Sequence, residues 1–154
     1  MKHVRFVRAV VAGLVANVLS FVVGGGGYHL FGWVFALEPQ AIWKWTPGLN
    51  ADMSLGWWVF LIGGNTLLAI VFAVVYAILF KGIPGTGLRK GLVFGGIVWL
   101  VGVVPAIFTM YIMMNVHPAA LLYFLTQSLV EYFVYGAAVA LIYGQPALAE
   151  AAAG

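Results

Sequence analysis

The chain has 154 residues, of which 64% are apolar and only 7% charged, with a net charge of +3 and no cysteine. A soluble domain carries about 25% charged residues, so this composition, with a mean hydropathy of +1.08, places the chain in lipid. The seven basic residues sit at the N-terminus and in short loops, not on a stripe interleaved with aromatics, which argues against nucleic acid. Without cysteine there are no disulfides, thiolate metal sites or thiol nucleophiles.

The N-terminal "MKHVRFVRAVVAGLVANVLS" has the positive start of a signal peptide. Its apolar run is too long for a signal core and lacks a small-x-small cleavage site, so it reads as an uncleaved first membrane helix. A spanning helix needs about 20 mostly apolar residues. The expected spans are 9–35, 56–80, 91–115 and 119–143, in one four-helix transmembrane domain covering 1–154. The expected fold class is therefore all-α, a polytopic four-helix bundle.

The first span ends in "FVVGGGGYHLFGW". The stretch from Ala9 to Val23 makes roughly 22 Å of helix at about 1.5 Å per residue, short of the roughly 30 Å hydrocarbon core. Gly24 to Gly27 must then lie in the membrane or at its outer edge, where irregular exposed backbone is costly. Gly13, Asn17, Ser20, Gly24 and Gly27 recur every three or four residues, a small-residue face of the kind that lets helices approach closely. Helical packing is the expectation; a groove for a flat ligand (a haem, chlorin or quinone) and a hinge are the alternatives.

The outer loop, 36–55, holds Glu38, Trp43, Lys44, Trp45 and Asp52 and is flanked by Trp33, Trp57 and Trp58. It fits a surface-lying amphipathic piece or a cap on the bundle equally well. Lys2, Arg5 and Arg8 precede the first span, and Lys81, Arg89 and Lys90 separate the second from the third. Basic loops stay cytoplasmic and Trp favours the headgroup layer, so both termini are expected in the cytoplasm, in a multi-pass protein of the cell (inner) membrane.

The second span carries small residues at Gly63, Thr66, Ala73 and Ala77, and the third at Gly91, Gly95 and Gly102. "KGIPGTGLRK" turns the chain between them. Pro105 removes one backbone hydrogen bond in mid-span and should bend the third helix. His117-Pro118 makes a very short turn into the fourth span, and the Ala-rich tail after it is read as a frayed helix end.

Glu131, in "LTQSLVEYFVYG", is the one clear ionisable residue inside a span. Gln127 and Tyr135 lie one turn to either side, and Asn17 and Asn65 lie at comparable depth. Glu131 is expected to face the interior and bond to Asn17, Asn65 or Gln127. A carboxyl removed from water favours its neutral form. A proton or cation site and a plain interhelical hydrogen bond both fit, the latter worth only about 0.6 kcal/mol on average. His29 and His117 stand near the outer face. They are candidate axial ligands for a haem or chlorin, though an interfacial histidine that caps a turn is the simpler reading. No phosphate loop, metalloprotease or nucleophile-elbow motif is present, so no enzyme, metal or cofactor is expected.

With the spans placed, "GGGGYHLFGWVF", "GLVFGGIVWLVGVVPAIF" and "FLTQSLVEYFVYGAAVALIYG" together resemble an uncharacterised bacterial family of small four-helix integral membrane proteins, a domain of unknown function. Tyr28, Phe31, Gly32 and Trp33 match its first-helix signature, and Gly95, Trp99, Gly102 and Pro105 its third. The resemblance implies the four-helix fold and no established activity. The function expected first is a structural or accessory subunit, packing with protein partners or itself in the bilayer through Gly13, Gly24, Gly27, Gly91, Gly95 and Gly102. An oligomeric transporter of small molecules, ions or protons using Glu131 is the alternative, and a haem- or pigment-binding subunit a further one.

Overall fold

The computed structural model describes residues 5–37 and 55–152, except the side chains of Trp57 and of 145–152. The described residues are helical apart from turns. Helix α1 spans Phe6–Phe31 and tightens into a 3-10 segment, Gly32–Leu37. Helix α2 spans Leu55–Leu79. Helix α3, Gly87–Val98, passes through a π-helical stretch, Trp99–Val103, into α4, Val104–Met113. Helix α5 spans Pro118–Ala152. Four segments, Phe6–Leu37, Trp58–Leu79, Gly87–Met113 and Pro118–Gly144, are long and apolar enough to cross a membrane. Most of the expected outer loop, with Trp43, Trp45, Glu38, Lys44 and Asp52, lies outside the described residues, as do Lys2 and His3.

Each expected span is present, with three differences of extent. The first is that the third span starts at Gly87 and is not one continuous α-helix. Pro105 has no N–H for the carbonyl one turn back and its ring crowds that carbonyl. An extra residue in the preceding turn relieves the crowding, which is what a π-bulge supplies. Pro105 thus sits in the first turn of α4, where its missing N–H costs nothing. The second is that α5 runs to Ala152 instead of ending at 143, so the Ala-rich tail continues the helix. The third is that the 3-10 turns at Gly32 end α1 before residue 35.

The four-glycine run is helical. Among the described residues only Gly85 and Gly87 have positive φ, at 97° and 50°. These form the tight turn between α2 and α3, a backbone conformation open to glycine at little cost.

In the bundle α1 packs on α2 and on α5, and α5 packs on α3. The first and last helices therefore form the centre. Ala9, Ala12 and Ala16 of α1, Ala73 and Ala77 of α2 and Ala140 of α5 are buried in one cluster, and small side chains let the axes draw close. Aromatic rings fill the wider space between α2 and α3. Phe72 meets Phe94 edge to face at 4.8 Å, and the fully buried Tyr76 touches the rings of Phe80, Phe94 and Tyr143. At the other end, Val34 from the 3-10 segment packs with Val116, Ala120 and Leu121. Phe35 there meets Tyr123 edge to face and packs at a tilt on Phe124.

Candidate functional site

What presses on the bare end of α1 is polar. Gln127 and Glu131 occupy successive turns of α5 and face Gly27 and Gly24. The Gln127 amide nitrogen donates to the Val23 carbonyl of α1 at 3.2 Å and to Glu131 Oε1 at 3.0 Å. A Cβ on Gly24 would stand 3.0 Å from Glu131 Oε1, and one on Gly27 would collide with Gln127 Oε1. Gly24 and Gly27 are thus the space in which the two side chains sit. Gly25 and Gly26 have nothing within 4 Å of a Cβ. The run therefore has a working face and an open one.

The bonding pattern corrects part of the expected polar set. Glu131 pairs with Gln127, while Asn17 and Asn65 bond elsewhere. The Asn17 amide donates to Thr66 Oγ1 of α2 at 2.9 Å, and Thr66 donates on to the Ile62 carbonyl. Asn65 donates to the Leu61 carbonyl of its own helix at 2.6 Å. The reason is rotational: α1 turns its Gly13–Asn17 end toward α2 and its Gly24–Gly27 end toward α5. A Cβ on Gly13 would stand 2.8 Å from the Ala69 carbonyl oxygen. Tyr135 reaches toward Ser20 of α1, whose buried hydroxyl lacks a hydrogen bond of good geometry. Its ring packs on Phe72 and Tyr132. Asn17 Oδ1 is also buried without a partner. Helix α1 therefore holds two buried polar atoms with unused bonding capacity, both on the N-terminal side of the Glu131 level, an uncommon condition in a helix interior.

The glycines divide in the same way. Gly91 and Gly95 pack where expected, with Gly136 as the residue the sequence reading missed. A Cβ on Gly91 would overlap the Gly136 carbonyl, one on Gly136 the Gly91 carbonyl, and one on Gly95 the Tyr132 carbonyl. Gly136 and Ala140 repeat on α5 the four-residue spacing of Gly91 and Gly95 on α3, which is the signal that would have found them. Gly102 does not pack: nothing lies within 4 Å of its Cβ position, and the same holds for Gly63. The π-helical stretch turns Gly102 outward and directs Trp99 inward. Trp99 Nε1 donates to the Leu125 carbonyl at 3.1 Å and to Ser128 Oγ at 3.2 Å, an anchor the sequence showed only as a family match.

His29 and His117 take separate local roles. His29 is exposed in the last turn of α1, edge-on to Tyr28 at 6.3 Å. His117 is exposed, and its Nδ1 accepts the Ala119 N–H at 3.2 Å at the start of α5. This is the turn-capping role anticipated for an interfacial histidine. Among the described residues no three His, Asp or Glu side chains gather as metal ligands.

Four apolar helices around a small-residue seam, with one carboxyl held at mid-span, define a multi-pass helical membrane protein. The model of the Family of unknown function (DUF6789) matches residues 3–152, and the chain belongs to that family. No curated protein and no solved structure matches it.

Proposed function

We propose that Glu131 is the working group of this protein: a proton- or cation-binding carboxyl in a small, non-enzymatic transporter of the inner membrane, with both termini in the cytoplasm. The observation that carries this is the cradle. Glu131 lies at the middle of the Pro118–Gly144 span, hydrogen-bonded to Gln127 and backed by Gly24, where a Cβ would stand only 3.0 Å from its Oε1. A carboxyl is a costly way to obtain one interhelical hydrogen bond, and intramembrane ionisable groups mark ion and proton paths. The contrast between basic and Trp-rich loops supports the orientation.

The experiment is reconstitution into proteoliposomes containing a pH-sensitive dye, with an imposed proton or sodium gradient. Flux in the wild-type protein and its loss in Glu131→Gln would support the reading. Equal flux in both, or none above protein-free vesicles, would refute it.

A second reading, an accessory subunit held by lateral contacts, is favoured by the glycines with open Cβ positions. Gly25 and Gly26 on α1 and Gly63 and Gly64 on α2 have no neighbour within 4 Å. Exposed small residues in lipid suit close approach by another helix. Purification from native membranes in mild detergent, with mass spectrometry and an absorption spectrum, tests it. Stoichiometric partner subunits would favour this reading over transport. A Soret or chlorin band would turn attention to His29 and His117.

A further inference from the structure

Between the first turns of α1 and the far part of α5 lies a groove of about 760 Å³. Arg5 and Arg8 line one part of it together with Phe6 and Val7, and Val11, Leu141 and Ile142 line the part further along the span. Val11 and Leu141 are exposed, as are the neighbouring Phe6 and Val7. The groove is therefore basic at the helix end and apolar toward the middle of the span. Its basic end coincides with the start of the Phe6–Leu37 membrane span, where headgroups lie.

Arg8 is the informative residue. It is half-buried, and its Nη1 is wholly buried without a hydrogen-bond partner. A guanidinium partly withdrawn from water and short of acceptors is unfavourable. A guanidinium has five donors and no acceptor, so the remedy is an anion. A phosphodiester offers oxygens with the geometry that a guanidinium fork takes up in pairs. The apolar wall that follows is suited to an acyl chain. We propose that this groove is a site for one anionic phospholipid, its phosphate on Arg8 and Arg5 and one chain along Val11, Leu141 and Ile142. Basic clefts between membrane helices at the headgroup level are suited to such lipids.

The test is competitive lipid retention by the full chain. The protein is exchanged into micelles doped with equal amounts of phosphatidylglycerol and phosphatidylcholine, and bound lipid is read by native mass spectrometry. The wild-type protein should retain phosphatidylglycerol preferentially. Arg8→Gln should lower that preference roughly fivefold, the scale of one basic residue at a membrane surface. Arg89→Gln, exposed in the first turn of α3 and not among the groove's lining residues, should leave it unchanged. Val11→Trp should abolish retention with both arginines in place, and it serves as the independent variant if Arg8→Gln does not fold. Equal retention of the two lipids by the wild-type protein would overturn the proposal. So would unchanged preference in both Arg8→Gln and Val11→Trp, or an equal loss in Arg89→Gln, which would reduce the effect to general surface charge.

Discussion

Gly91 and Gly136 stand with each one's absent side chain pointing at the other's carbonyl oxygen. Helices α3 and α5 meet backbone to backbone at this point, and van der Waals contact over the whole crossing depends on it. Backbone cannot turn aside as a side chain can. Gly91→Ala and Gly136→Ala should each force the helices apart and cost about 3 kcal/mol, the upper end of ordinary overpacking. Reversible unfolding in mixed micelles, followed by circular dichroism, reads the loss. A change of less than about 0.5 kcal/mol in both would show that α3 and α5 do not cross so closely.

The four glycines of α1 should separate into two classes. Gly25→Ala and Gly26→Ala meet nothing, so they should be neutral or stabilising by up to about 1 kcal/mol through helix propensity. Gly27→Ala puts a methyl where Gln127 Oε1 lies. Gln127 is flexible and can swing away, so the protein should still fold. The swing breaks its bonds to Val23 and Glu131, and Gly27→Ala should therefore impair any Glu131-dependent flux while unfolding within about 1–2 kcal/mol of wild type. If Gly27→Ala matches Gly26→Ala in both assays, Gln127 does not sit on that face.

The contrast within one glycine run shows where sequence reading reaches its limit. Periodicity placed Gly13, Gly24 and Gly27 on one face of α1, and the 3.6-residue repeat guarantees that. It could not say which neighbour that face meets. Gly13 meets α2 and Gly24 meets α5, because the helix contacts different partners along its length, and no single-helix pattern encodes that. Hence Asn17 looked like a partner for Glu131 and is instead bonded to Thr66. The membrane class and the four spans were legible because lipid forces long apolar helices. Gly102 misled for a different reason. Its spacing from Gly95 assumes an unbroken α-helix, and the π-helical Trp99–Val103 stretch shifts the register between them.

Glu131 and Gln127 should respond unequally to substitution. Glu131→Gln keeps the size and an oxygen that can accept from Gln127, so its stability should change by less than about 1 kcal/mol. It removes only the capacity to ionise, which makes it the clean functional variant. Gln127→Ala leaves the half-buried Glu131 without its donor and should cost about 1 kcal/mol or somewhat more, toward the lower end of the range for a buried polar group deprived of a partner. Unfolding in mixed micelles orders the two. A Glu131→Gln loss as large as that of Gln127→Ala would mean that the charge itself holds the seam together.

Trp99 and Pro105 form a linked pair. Pro105 sits at the start of α4 just beyond the π-helical stretch, and within that stretch Trp99 points at α5 and bonds to the Leu125 carbonyl and Ser128. Trp99→Phe keeps an aromatic ring but removes the bonds and part of the indole, so it should cost at least the roughly 0.6 kcal/mol of an average interhelical bond in membranes, with the lost packing added. Pro105→Ala removes the reason for the extra residue in the turn and lets an ordinary α-helix run through. The part of the span beyond the bulge would then rotate by about 100°, one residue's worth at 3.6 per turn. Gly102, now open and inside the π-helical stretch, would be carried part of that rotation relative to α5 as the stretch becomes α-helical. A cysteine introduced at Gly102, the chain having none, reports this directly. In the wild-type background it should label readily with a membrane-permeant maleimide, and in Pro105→Ala its labelling rate should fall. Identical labelling in the two backgrounds would mean that the π-helical stretch is held by the Trp99 anchor and not by the proline. Trp99→Phe with Pro105 intact would then be the variant that straightens the helix.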